Sequence, residues 1–167
     1  MRAFMILAAV AVAFAAQALP SQSPVAETRS EVGGVTNVVP RGSGDARPGP
    51  GANFTGQVTV RSAFRLSGGS RVGGATVSFA PGARSAWHVH PLGQTMVVTE
   101  GCGWTQVKGG PVEQICAGDV AWVGPGEAHW HGATPTKAMT HVAISESAEG
   151  ESVQWLQKVT AAEYRRD

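Results

Sequence analysis

Two pairs of histidines, each split by a single residue, constrain this chain more than any other feature. His88 and His90 lie in PGARSAWHVHPLGQTMVVTEG, and His129 and His131 in GDVAWVGPGEAHWHG; these stretches hold four of the five histidines. A strand turns successive side chains to opposite faces, so residues i and i+2 share one. An extended 86–90 segment therefore points His88 and His90 the same way, as two ligands of one metal ion would be. Pro91-Leu92-Gly93 is turn chemistry and brings Gln94 back beside them. The β-branched, apolar run TMVVT reads as the next strand. In the second stretch, strand 119–123 is followed by Gly124-Pro125-Gly126, a turn, and then His129 and His131 on one face. A site carried on paired strands has a rigid frame.

The rest of the chain reads as one small all-β domain behind an export leader. Arg2, the apolar run from Phe4 to Ala16 and the small-x-small Ala16-Gln17-Ala18 match a secretory signal peptide over 1–18. The expected location is therefore outside the cytoplasm, periplasmic or secreted. The apolar run is shorter than the ~20 residues of a membrane span, so no span is expected after cleavage. Residues 19–52, rich in Pro, Gly and Ser, read as a disordered linker. Residues 53–167 read as the folded domain. Charged residues are 15% and glycines number 22, a mixture suited to short strands and tight turns in a small β-barrel or jelly roll. The net charge of +1 implies no nucleic-acid partner.

Strands are expected over 54–60, 74–80, 119–123 and 138–145. A hairpin is expected about Lys108-Gly-Gly-Pro111, with Cys102 roughly opposite Cys116. A cross-strand disulfide and two buried thiols both fit that placement. Val153, Leu156 and Val159 have helical spacing, and Thr160-Ala-Ala-Glu163 matches a capping box. A short C-terminal helix is therefore expected outside the barrel.

Gly82, His88, His90, Gln94 and Gly101, with Gly118, Gly126 and His129, resemble the two paired motifs of the cupin family. The chain departs from them in carrying Gln94 where the family has Glu, Gly124 for Pro and Ala133 for Asn. The segments GARSAWHVHPLGQT, GCGW, GDVAWVGPGEAHWHGATPT and AMTHVAI are similar to small bacterial cupins that act as manganese-dependent hydroxynitrile lyases. The resemblance implies a single-domain, generally homo-oligomeric barrel acting on a small molecule such as a cyanohydrin. It also implies one divalent metal on His88, His90, Gln94 and His129, with His131 and His141 in the pocket.

The residues themselves are compatible with that chemistry. A ligand set of three imidazoles and an amide is neutral, so a bound cation keeps its full charge as a Lewis acid. Manganese is the cation the resemblance implies; iron, zinc and nickel also suit the donors. His131 shares a face with His129, and His141 faces inward from a later strand, so both are acid/base candidates. The competing reading of each is a core histidine with a satisfied hydrogen bond. Trp130 is expected to line the cavity, and Arg84 to form a structural ion pair. Two other function classes use the same barrel: an Fe(II) oxygenase, and a non-catalytic metal- or small-ligand-binding protein of the cell envelope.

Overall fold

A computed structural model describes residue 38, residues 45–66 and residues 68–165. The signal-peptide expectation and most of the linker fall outside these. Twelve strands make up the described fold: β1 (Arg47–Pro48), β2 (Phe54–Thr55), β3 (Val58–Arg65), β4 (Val72–Phe79), β5 (Arg84–Ser85), β6 (His88–Val89), β7 (Gln94–Val107), β8 (Glu113–Cys116), β9 (Val120–Val123), β10 (His129–Ala133), β11 (Met139–Glu146) and β12 (Gln154–Trp155). All named pairings are antiparallel, and the main path runs β1-β3-β4-β11-β7-β10-β5-β2. The result is the all-β barrel expected of many short, turn-punctuated strands.

Strand β7 joins the two faces of the barrel. Its first half pairs with β11 and β9, and its second half with β10 and β8. Gln94, Met96 and Val98 are buried along the first half; Gly103 and Thr105 are buried along the second. The inward set thus changes from even to odd numbers. The change comes from one extra residue at Thr99: the β11 partners Thr140 and His141 face Glu100 and Val98. A bulge of this kind bends a strand and re-aims its side chains. Just beyond it, Gly101 has φ 69°, and a Cβ there would lie 2.0 Å from the Ala138 carbonyl oxygen. Only glycine fits both conditions.

The apolar interior has two parts. Val58, Val77, Phe79, Val98, Ile115 and Met139 form the larger cluster. Trp87, Trp130 and Val159 form the second, with Trp104, Leu156 and Tyr164 against it. Trp130 is fully buried there and donates Nε1–H to Gln106 Oε1 at 2.8 Å, so it is packing behind the strand and does not line the cavity. Arg84 forms no ion pair among the described residues. It donates to the Val159 and Gly82 carbonyls and lies over the Tyr164 ring at 4.5 Å. Cys102 and Cys116 are direct cross-strand partners and form a disulfide.

Three further expectations need correction. The strand expected over 54–60 is two, β2 and β3, parted at Gly56 and Gln57. The 19–52 linker extends too far: Arg47 and Pro48 pair with Val60 and Thr59, and Gly49 N–H donates to Val58 O. Proline is compatible with this position because β1 is an edge strand. The C-terminal helix is absent; no described residue is helical. Gln154 and Trp155 instead pair with Val89 and His88, Leu156 N–H donates to Trp87 O, and Trp87 N–H donates to Gln157 O. Helices this short are marginal without tertiary support, and the exposed edge of β6 offers the segment a complete set of backbone partners instead. The capping contacts do form. Glu163 Oε2 accepts from Thr160 N–H and its hydroxyl, and Glu163 N–H donates to Thr160 Oγ1. They close a single turn.

Gly101→Ala is expected to destabilise the protein by more than about 2 kcal/mol, from backbone strain and collision with the Ala138 carbonyl. Urea unfolding of the two proteins measures this, and an unchanged midpoint contradicts the role given to this corner.

Candidate metal centre

The site begins with strand pairing. His88 on β6 is the cross-strand partner of His129 on β10, so their rings meet at 4.2 Å between centroids. Two residues on, the chain leaves β6 and turns. The His90 carbonyl accepts from Gly93 N–H and Gly126 N–H, and this places the His90 ring 5.2 Å from His88 and 5.7 Å from His129. Gln94 opens β7 with its Oε1 3.0 Å from His129 Nε2. All four side chains are buried. The structure thus brings together His88, His90, Gln94 and His129, the set read from the sequence.

The tightest group of histidine donors differs from that set: it holds His131 and not His90. Ring nitrogens of His88, His129 and His131 lie within 4.8 Å of one another, a group able to hold one metal ion. His131 stands one pleat beyond His129, its backbone N–H tied to Ser85 Oγ at 3.1 Å. Its Nδ1 lies 3.2 Å from His141 Nε2. His141 is fully buried and stacks on Phe79 at 5.7 Å.

Backbone carbonyls decide which nitrogen of His88, His90 and His129 is available. His88 Nδ1 lies 3.0 Å from Ala86 O, His90 Nδ1 2.5 Å from Ser152 O, and His129 Nδ1 3.1 Å from Glu127 O. A carbonyl can only accept, so each Nδ1 carries the proton and each Nε2 presents a lone pair. Two observations then point to a cation. His90 Nε2 is buried without a hydrogen-bond partner. His129 Nε2 and Gln94 Oε1 are both acceptors yet face each other at 3.0 Å. A divalent ion would relieve such unpaired acceptors, and carbonyl support of this kind is the usual means of orienting metal-bound imidazole. The residues present therefore fit a metal.

Burial keeps the imidazoles neutral. It pushes His88 down to about 3, with the charges of His129 and His90 acting the same way against the Ala86 carbonyl and Gln94. It pushes His129 down to about 4, opposed by the Glu127 carbonyl, and likewise His141 to about 4. His131 is held well below its ordinary value by burial first, then by His141 and His88.

A cavity of about 370 Å³ reaches His131 between apolar walls that include Phe54, Val60, Phe64 and Val77. Sequence reasoning missed two of its features. Trp155 lines it and lies 4.9 Å from the His88 ring, and Ser152 supplies the carbonyl that orients His90. Both belong to the segment read as helix, whose 3.6-residue apolar spacing concealed the two-residue strand β12.

The family model described as a cupin domain matches residues 75–145. A curated relative, the (R)-mandelonitrile lyase of Granulicella tundricola, is 54% identical over 125 residues, or 75% of this chain and 95% of the relative. Among solved structures, a cupin-like protein from Thermotoga maritima has a TM-score of 0.67 and 37% identity, covering 78% of this chain and 96% of its own. The polyketide cyclase RemF from Streptomyces resistomycificus has a TM-score of 0.60 at 17% identity, covering 78% and 91%; that likeness is one of fold. No helix among the described residues is long and apolar enough to cross a membrane.

The depressed imidazole values make stability depend on pH. In the unfolded chain these histidines titrate near 6.5, whereas folded His88, His129 and His141 titrate at about 3 to 4. Between those values the unfolded state binds more protons, so stability falls as pH falls. The metal-free protein is expected to keep its urea midpoint above pH 6.5 and lose it progressively from there toward pH 4. A midpoint that stays level or rises across that window contradicts the buried, neutral cluster.

Proposed function

The chain belongs to the cupin family, and from that premise we propose that it is a metal-dependent lyase that cleaves or forms α-cyanohydrins. The observation that carries this reading is the His131–His141 pair, in which His131 also stands in the cluster with His88 and His129, at the wall of a cavity. The identity with a mandelonitrile lyase across nearly the whole of that relative supports it.

We assign the cation to Nε2 of His88, His90 and His129 and to Oε1 of Gln94, with manganese the ion implied by the sequence resemblance. Bound there, a divalent cation supplies Lewis acidity, which lowers the pKa of a hydroxyl or polarises a carbonyl oxygen. The neutral donor set leaves that charge undiminished.

Proton movement falls to the histidine pair. When His131 Nδ1–H donates to His141 Nε2, His131 Nε2 has a lone pair and takes the cyanohydrin hydroxyl proton. The C–CN bond then breaks: its electron pair leaves with cyanide, and the oxygen electrons close the carbonyl. His131 Nε2–H returns the proton to cyanide, so the products are an aldehyde or ketone and HCN. His141 is the group that receives the Nδ1 hydrogen bond throughout and fixes the ring of His131. Apolar walls hold the organic part of the substrate and exclude water from the reacting carbon.

His131→Ala is expected to retain metal and lose turnover of mandelonitrile by roughly 10²–10⁴-fold, the range for removal of a general acid–base group. Elemental analysis together with cyanide release, without oxygen consumption, measures both quantities. Undiminished turnover contradicts the assignment. Loss of metal along with turnover makes His131 a ligand and moves the proton transfer to another group.

A further inference from the structure

The cavity that ends on His131 has no carboxylate among its lining residues and, apart from His131, a single ionisable one, Arg65. Arg65 is the last residue of β3. Its cross-strand partner is Gly73, which lines the cavity too. Arg65 Nη1 donates to Ser147 Oγ at 3.3 Å, and Ser147, itself buried, lines the same wall. Among the described residues that is the only side-chain hydrogen bond of Arg65, and it enters no ion pair; the one ion pair there joins Arg71 to Glu146. A guanidinium has five N–H donors in a fork that matches a carboxylate. Here one donor is used, on a hydroxyl that orients the group without neutralising it.

The placement of charge is informative. The rest of the lining is uncharged and mostly apolar, with Phe54, Val60, Phe64 and Val77 beside the polar Asn53, Ser145 and Ser152. A ligand complementary to the whole space has a reacting polar group at one end, an apolar middle and an anion at the other. An uncharged ligand leaves the guanidinium facing solvent, while a carboxylate gains a charge-assisted hydrogen bond and meets no like charge in the cavity.

We infer that Arg65, oriented by Ser147, is a carboxylate-recognising residue, and that the substrates are carbonyl compounds or their cyanohydrins that carry a carboxylate on an apolar spacer. The identity of the reacting end rests on the lyase reading; the recognition of the carboxylate does not.

Calorimetric titration of the full, metal-loaded chain separates the two. The probes are 4-formylbenzoate and benzaldehyde, which share the ring and the aldehyde and differ in the carboxylate. The native protein is expected to bind 4-formylbenzoate about tenfold more tightly, the scale of one hydrogen bond to a charged group. Arg65→Gln is expected to remove that preference, and Arg65→Lys, which keeps the charge but not the fork, to retain part of it. No preference in the native protein, or the same preference in Arg65→Gln, overturns the inference. Cyanide release from 4-carboxymandelonitrile and from mandelonitrile is measured in parallel. Intact binding preference with turnover of neither compound rejects the lyase reading and leaves the carboxylate site standing. Turnover of both without any preference does the reverse.

Discussion

Hydrogen bonds from three imidazole Nδ1 atoms to the backbone carbonyls of Ala86, Ser152 and Glu127 are the interactions on which the site depends. Each fixes a tautomer and a ring orientation, and together they turn three Nε2 lone pairs inward. Two of the carbonyls lie two residues before the histidine they serve, so the local strand supplies its own support. The third comes from a distant segment, 62 residues along the chain from His90. The C-terminal stretch thus helps to orient the histidine cluster although it contributes no side chain to it.

That dependence explains why the fold is arranged as it is. Strand β7 must bring Gln94 to the cluster at one end and pair with β10, which carries His129 and His131, at the other. A regular strand of 14 residues would keep one set of side chains inward throughout. The bulge at Thr99 and the corner at Gly101 let the strand serve both faces of the barrel and still bury the residues each face requires. Behind β10, Trp130 fills the second apolar cluster and holds the strand from its other side. The disulfide at Cys102 and Cys116 ties β8 to β7 just after the corner.

Much of the site was legible in the sequence because its rules are local. Two-residue spacing on a strand puts His88 with His90 and His129 with His131 on shared faces, and Gly/Pro turns return Gln94 to them. The inward placement of His141 followed from the same alternation in AMTHVAIS. What sequence reasoning missed depends on distant partners. Val153, Leu156 and Val159 have a helical period, yet β6 leaves an edge that pairs with Gln154 and Trp155 and claims the segment. Arg47 and Pro48 look like linker by composition, and only their pairing with β3 places them in the barrel. The proximity of His131 to the His88–His129 pair was likewise not separable from spacing. It depends on how closely β6 and β10 approach, and this makes His131 a neighbour of the cation site as well as of His141.

The central claim is that the carbonyl-locked histidines present Nε2 to a single cation. Anomalous diffraction at the manganese edge, from crystals of manganese-loaded protein, tests it most directly. The expected result is one strong peak per chain within bonding distance of Nε2 of His88, His90 and His129 and of Gln94 Oε1. A peak bonded through any Nδ1 of these histidines, or none in the cluster, would contradict it.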